Sequence, residues 1–271
     1  LTIMTSSIPD PAAARDILVR AVEAAGPLAL RYFREGESTS AKVAHKHGNS
    51  PVTEADHLVD EALAKALRPA FPEAGWLSEE SADDETRLDK DLTLIVDPID
   101  GTRGFMTGDS CWTICAALVH RGRPIAGVVY APARDETFAA ALGHGAVLNG
   151  RTLRLDAWQP EAGLRIAGPR SAIFDFERLG YTIERRSYVP SLAYRIALVA
   201  ADRADAAVAT KNSHDWDIAA IDLIVAEAGG RLTDLAGEPP RYNCPVPRHP
   251  PLIASKANLH GILLEALPPV A

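Results

Sequence analysis

Residues 94–105 read Leu94-Ile95-Val96-Asp97-Pro98-Ile99-Asp100-Gly101-Thr102-Arg103-Gly104-Phe105. The apolar run Leu94-Ile95-Val96 leads straight into Asp97, so the stretch reads as a buried strand that ends on an acid. Pro98 then turns the chain and delivers a second acid, Asp100, and Gly101 and Thr102 follow with free backbone N–H groups. Two carboxylates brought close in a dry place repel each other unless a cation lies between them. Oxygen ligands suit a hard cation such as Mg²⁺, and the Gly-Thr step offers N–H and hydroxyl donors to an anion beside it. A metal next to an anion cradle points to phosphoryl chemistry. The same string is also good turn chemistry, because Asp favours turns, Pro fixes φ and Gly permits φ > 0. The rest of the chain decides between the two readings.

Outward from this run, residues 92–155 have strand texture. Leu92–Val96, Thr113–Val119, Ala126–Tyr130 and Thr137–Ala141 are punctuated by Arg121-Gly122-Arg123-Pro124 and by Gly143, Gly145 and Gly150, which predicts an antiparallel meander. Upstream, Asp10-Pro11 opens a helix expected to run to about Phe33, with Asp10 as cap and Pro11 at the first helical position. Residues 42–52 read as a polar loop or hairpin around Gly48-Asn49. A second helix is expected from Glu54 to Leu67, with Leu58, Val59, Ala62, Leu63, Ala66 and Leu67 at helical spacing. Beyond residue 160, strands mix with two helices. The clearer one spans Asp217 to Ala228, buries Ile218, Ile221, Ile224, Val225 and Ala228, and stops at Gly229-Gly230. The Pro-rich stretch 239–251 reads as a surface loop.

Two further acidic segments decide the function. One is Trp76-Leu77-Ser78-Glu79-Glu80-Ser81. The other is His214-Asp215-Trp216-Asp217-Ile218-Ala219-Ala220, which runs on into Glu227-Ala228-Gly229-Gly230. Together with Asp97-Pro98-Ile99-Asp100-Gly101-Thr102 they resemble, in order and with their flanks, the three blocks of the inositol monophosphatase superfamily of Mg²⁺-dependent, typically lithium-sensitive phosphatases. The likeness spans roughly residues 12–255. It implies an α+β fold, a layered α-β-α-β-α sandwich of the inositol monophosphatase/fructose-1,6-bisphosphatase type. An N-terminal α+β lobe (1–155) would carry the acidic motifs, and a C-terminal α/β lobe (156–271) would complete the site.

The resemblance also implies roles. Glu79 and Asp97, with the Ile99 carbonyl, would hold one Mg²⁺, and Asp97, Asp100 and Asp217 a second. Glu79 would take part in a third, weaker site, giving two or three ions in all. Thr102 with Asp56 resembles the family's water-activating pair, and the Gly101 and Thr102 amides would grip the phosphate. Two plainer readings stand beside these. Thr53-Glu54-Ala55-Asp56 has the form of a capping box at the second helix, and Asp217 suits a helix N-terminus. Glu80 is expected to be solvated or to sit behind the ligands.

The substrate is less sharply marked. Inositol monophosphatases carry a glutamate seven residues before the motif aspartate, which binds ring hydroxyls; here that position is Thr210. Gly230-Arg231-Leu232-Thr233-Asp234 with Gly237-Glu238-Pro239-Pro240-Arg241-Tyr242-Asn243, and Ser191-Leu192-Ala193-Tyr194-Arg195, are similar to segments of the 3′(2′),5′-bisphosphate nucleotidases. Arg170-Ser171 resembles their Ser-Arg-Ser segment, whereas Arg103-Gly104 departs from their usual Lys-Glu. The resemblance therefore implies a phosphoric monoester hydrolase that converts 3′-phosphoadenosine 5′-phosphate to AMP and phosphate by metal-activated water, with Ser171, Arg195 and Asp217 among the substrate contacts. The alternative is a phosphatase for inositol or another small polyol or amino-alcohol phosphate. Some family members also act as regulatory binding proteins in transcription, but the intact acid set here argues for catalysis.

Composition agrees. The 271 residues are 47% hydrophobic and 24% charged, as in a soluble globular enzyme, and the net charge of −8 gives no general attraction to nucleic acid or anionic membrane. Three cysteines without a CxxC pair predict reduced thiols in a cytoplasm. No basic and apolar leader is read at the start, and no apolar stretch approaches the roughly 20 residues that span a bilayer. The expected partner is a small phosphorylated substrate, with the protein a monomer or homodimer. His45, His47 and His214 lack the Cys/His company of a zinc site.

Overall fold

The computed structural model describes residues 8–46, 50–160, 163–170, 176–178, 180–185 and 188–267. Helix α1 (Pro11–Leu30) starts where Asp10 Oδ1 accepts the Ala12 N–H at 3.1 Å. It stops short of Phe33, because Tyr32 and Phe33 both bond back to the Ala29 carbonyl and close the last turn. Strands β1 (Val43–His45) and β2 (Pro51–Thr53) pair as a hairpin, and the Gly48-Asn49 position lies outside the described residues. Helix α2 (Glu54–Leu67) has the expected bounds and a complete Thr53/Asp56 capping box.

Seven strands form the main sheet: β3 (Gly75–Ser78), β4 (Leu92–Asp100), β5 (Thr113–His120), β6 (Arg123–Ala131), β7 (Glu136–Ala141), β8 (Ala146–Leu148) and β9 (Arg151–Leu153). They lie in sequence order and are antiparallel throughout, except that β3 runs parallel to β4. The expected turn at Pro98 is not a strand end. β4 continues through it, and the register shifts from Asp97↔Cys115 to Asp100↔Thr113. Three steps along β4 thus match two along β5, which is a bulge. In a regular strand, residues three apart face opposite sides of the sheet; the extra residue of a bulge cancels that alternation and brings Asp97 and Asp100 to one place.

Alternation along β4 otherwise holds. Leu94 and Val96 pack with α1 and α2, while Ile95 faces the opposite core. That second core is closed by α4 (Leu192–Ala200) and α5 (Asp215–Glu227), which follow the short helix α3 (Thr102–Thr107). Beyond them lies a five-stranded sheet of order β11-β10-β12-β16-β14, made of β10 (Leu164–Ala167), β11 (Ile183–Arg185), β12 (Ala206–Ala209), β14 (Gly230–Asp234) and β16 (Leu252–Lys256). Its outer face packs on α6 (Ala257–Ala266) through Leu259 and Leu263. The layers therefore alternate α-β-α-β-α. At least three helices, α4, α5 and α6, follow residue 160 where two were expected.

Gly127 sets the fit between α5 and the main sheet. A β-carbon there would lie 2.8 Å from the Ala220 carbonyl oxygen, so helix and strand backbones touch. The Pro-rich stretch also differs from expectation. It contributes β15 (Arg248–His249), which pairs with β13 (Ser213–His214), and it buries Tyr242 and His249.

Candidate metal-centred active site

Asp97, Asp100 and Asp217 come together, with one carboxylate oxygen from each lying within 4.8 Å of the others. Each is aimed by a different device. Asp97 Oδ1 accepts the Ile99 N–H at 3.1 Å, across the bulge. Asp100 is held by α4: Ser191 Oγ donates to its Oδ2 at 2.6 Å, and the Ala193 and Leu192 N–H groups donate at 2.7 and 3.2 Å. Asp217 is the third residue of α5, where Oδ2 accepts the His214 N–H at 2.6 Å. Its capping role and its place in the cluster coexist.

The electrostatics are those of an anion cluster that calls for a cation. Burial first, then the charges of Glu79, Asp100 and Asp217, pushes the Asp97 carboxyl well above the usual carboxylate range. Burial and the Asp100 charge do the same to Asp217. Asp100 rises less, because Ser191 and the α4 amides stabilise its anion. Asp97 Oδ2 is buried without a hydrogen-bond partner among the described residues. A buried carboxylate oxygen left without a donor, among like charges, fits a hard divalent cation bound by oxygen.

Glu79 lies beside this cluster but outside the group of three. Lys46 Nζ bonds Glu79 Oε1 at 2.9 Å and Glu80 Oε1 at 2.6 Å. Of the two placements expected for Glu80, the buried one holds and the solvated one does not: its side chain is 3% exposed, and burial pushes its carboxyl up to about 7 against the opposing pull of Lys46. Asp60 of α2 steadies the acidic box, accepting from the Ser78 and Ser81 hydroxyls. The Ile99 carbonyl accepts from Thr102 Oγ1 at 3.0 Å. The same hydroxyl lies 3.3 Å from Asp56 Oδ1, while Asp56 Oδ2 accepts from Thr53 N and Oγ1 at 2.8 and 2.6 Å. Gly101 is left-handed at φ 90°, and a β-carbon there would lie 2.9 Å from Ser191 N.

The residues expected to contact substrate fare unevenly. Ser171 lies outside the described residues. Arg195 is half-buried on α4, and its guanidinium donates to the carbonyls of Val208 at 3.2 Å and Val189 at 2.8 Å. Tyr242 is buried and donates to Asp222 Oδ2 at 2.9 Å, so it packs the loop that carries it. Thr210 is exposed.

Sequence reasoning missed the braces. Arg87 is 1% exposed, forks onto both Asp83 oxygens at 2.7 and 2.8 Å, and reaches Asn243 Oδ1 at 2.7 Å. Asn243 N in turn donates to Asp215 Oδ2 at 2.7 Å, and His249 Nε2 meets Asp215 Oδ1 at 2.7 Å. The start of α5, with Asp217 on it, is thereby tied to the segment that follows the acidic box. No local pattern in the sequence announces a contact between residues 87 and 243.

Comparison with known proteins agrees with this geometry. The sequence profile described as the inositol monophosphatase family matches residues 10–269. The chain is 32% identical to the Nus factor SuhB of Pasteurella multocida over 82% of this chain and 85% of that one. It is 31% identical to inositol monophosphatase 2 of Solanum lycopersicum over 93% of this chain and 97% of that one. The crystal structure of CysQ from Bacteroides thetaiotaomicron superposes with a TM-score of 0.74 at 26% identity, covering 91% of this chain and 97% of that one.

Proposed function

The chain belongs to the inositol monophosphatase family of metal-dependent phosphatases, and we propose that it uses Mg²⁺ to hydrolyse 3′-phosphoadenosine 5′-phosphate to AMP and phosphate. The observation that carries the metal-dependent chemistry is the unpartnered Asp97 Oδ2 inside the cluster of Asp97, Asp100 and Asp217. Those three residues with Glu79 and the Ile99 carbonyl would hold two or three ions. When bound, Mg²⁺ neutralises charge on the phosphoryl oxygens and acidifies water.

The chain's own residues would do the rest. Thr102 Oγ1 is placed to accept a proton from the attacking water while passing its own toward Asp56. Burial, the largest influence on Asp56, raises its carboxyl above the usual range and makes it a better proton acceptor. The backbone at Gly101, opened by its left-handed turn, would present the Gly101 and Thr102 amides to the phosphate. Asp217 would orient the leaving ester oxygen. Ser191 is a positioning residue, because it fixes Asp100.

The nucleotide substrate is supported by the Ser191–Arg195 and Gly230–Asn243 similarities and by Thr210 in place of a ring-binding glutamate. The tomato relative's name favours the second reading, an inositol or other small polyol or amino-alcohol phosphate. The Nus factor relatives raise a binding role in transcription, which would survive loss of the acid cluster. Lithium inhibition, a reducing cytoplasm for the three free cysteines, and lobes at 1–155 and 156–271 with the site between them belong to the same proposal. No helix among the described residues is long and apolar enough to cross a membrane.

The deciding experiment compares Mg²⁺-dependent phosphate release from 3′-phosphoadenosine 5′-phosphate and inositol 1-phosphate. The expected result is a higher kcat/KM for the nucleotide. A preference for inositol 1-phosphate would overturn the nucleotide reading and leave the metal site standing.

A further inference from the structure

The α5 entrance carries a pair of stacked rings beside Asp217. The rings of His214 and Trp216 are stacked, with centroids 4.5 Å apart and planes 5° from parallel. Trp216 also packs against the core shared by α4, α5 and the main sheet. His214 keeps 27% of its side chain exposed. Its backbone is pinned by the N–H bond to Asp217 Oδ2, and its Nδ1 lies 3.9 Å from the same oxygen. A planar group stacked on the exposed part of His214 would therefore sit next to the carboxylate cluster.

A second observation concerns charge. Across the β13–β15 ladder, His214 stands directly opposite Arg248, and residues directly opposite in an antiparallel pair share a face of the ladder. Arg248 is exposed, and its guanidinium has no hydrogen-bond or ion-pair partner among the described residues. Flat ring and free cation occur side by side at the edge of a site built for a phosphate ester. Inositol has no planar face to stack. A nucleotide carrying a second phosphate uses both features.

We propose that His214 is the platform on which the purine base of the substrate stacks, and that Arg248 receives the phosphate that is not hydrolysed. This rests on the nucleotide reading above. Stacking of a base on a ring is sequence-tolerant but requires a π-face, so the platform selects nucleotides over polyol phosphates without any contact to base edges.

The test uses the full chain with Mg²⁺ and three substrates: 3′-phosphoadenosine 5′-phosphate, adenosine 3′-phosphate and inositol 1-phosphate. His214→Ala is expected to lower kcat/KM for both adenine substrates, chiefly through KM, by about tenfold or more beyond any loss on inositol 1-phosphate. His214→Phe, which keeps a flat ring, is expected to restore the adenine substrates. Arg248→Ala is expected to weaken the bisphosphate and spare adenosine 3′-phosphate. Equal losses on all three substrates for His214→Ala, or no loss on any, would overturn the platform. Unchanged discrimination in Arg248→Ala would overturn its share.

Binding of AMP, read by quenching of tryptophan fluorescence, separates this inference from the function it rests on. If the bisphosphate is not hydrolysed but AMP binds and His214→Ala abolishes binding, the platform stands and the substrate reading falls. If the bisphosphate is hydrolysed and His214→Ala leaves both KM and AMP binding unchanged, the platform falls alone. If there is neither hydrolysis nor AMP binding, both fall.

Discussion

Thr102 Oγ1 lies 3.3 Å from Asp56 Oδ1, joining the first turn of α3 to the first turn of α2 across 46 residues of chain. The carboxylate serves two masters. Oδ2 completes the α2 cap, and Oδ1 faces the hydroxyl beside the carboxylate cluster. Thr102→Val, which keeps the shape and removes the hydroxyl, is expected to lower kcat by about 10²-fold or more with little change in KM, and Thr102→Ser to recover most of it. Asp56→Asn is expected to cost about as much in kcat, but only about 1 kcal/mol in stability, because the amide oxygen still accepts from Thr53. Steady-state kinetics beside thermal melts would read both. A loss of stability without loss of kcat would return Asp56 to a purely structural role.

Burial first, then neighbouring carboxylates, holds both Asp97 and Asp217 well above the usual carboxylate range in the absence of a cation. Asp97→Asn and Asp217→Asn are each expected to abolish Mg²⁺-dependent turnover. In chelator, they are also expected to raise the unfolding free energy of the metal-free protein, by on the order of 1–3 kcal/mol. In the wild type, added Mg²⁺ is expected to raise Tm by mass action, and either variant to blunt that rise. Near-wild-type activity in a variant would remove that residue from the ligand set.

Arg87 is a buried cation whose whole fork is engaged by Asp83, Asn243 and Cys244 O. Arg87→Ala leaves Asn243 Oδ1 and the Cys244 carbonyl without their donor, and is expected to cost about 1–3 kcal/mol. Arg87→Lys is expected to recover less than half, since a single ammonium cannot match the planar fork. Denaturant melts would measure the loss. Because Asn243 also holds Asp215, the remaining folded enzyme should show weakened Mg²⁺ dependence.

Asp222 sits within α5, where burial pushes its carboxyl up to about 6 although the Tyr242 hydroxyl supports its anion. Between about pH 4 and pH 6 the folded protein keeps a proton that the unfolded chain has released, so this carboxyl lowers stability as pH rises through that window. Asp222→Asn retains an acceptor for Tyr242. It is expected to be more stable than wild type by roughly 1–3 kcal/mol at pH 7, with the gap closing toward pH 4. Melts of both proteins across this range in chelator would show it. A gap independent of pH would mean that Asp222 ionises as freely in the fold as out of it.

Much of the architecture is readable from local signals. Thr53-Glu54-Ala55-Asp56 announces α2, and the periodic Ile218, Ile221, Ile224 and Val225 announce α5, because capping and amphipathic spacing act within a turn or two of the residues concerned. The three acids of the cluster are readable for the same reason, each sitting in a short motif. What is not readable depends on partners distant in sequence. The bulge between Asp97 and Asp100 exists only in the pairing with Thr113 and Cys115. Ser191 was visible within a segment similar to the nucleotidases, yet its hold on Asp100 is a contact across 91 residues. The stretch 239–251 looks like a loop by composition, and only the docking of Asn243 and His249 onto Asp215 turns part of it inward.

Gly127 gives that assembly its spacing. The strand β6 and the helix α5 touch at Gly127 and Ala220, one turn of helix beyond Asp217, with no room for a β-carbon between them. The height of Asp217 above Asp97 and Asp100 is therefore set by an omission. One methyl group at mid-sheet would lift the helix as a shim lifts a hinge leaf. The carboxylates would drift apart without any of them having been changed, and the protein would lose its grip on the ion while every motif that identifies it stayed intact.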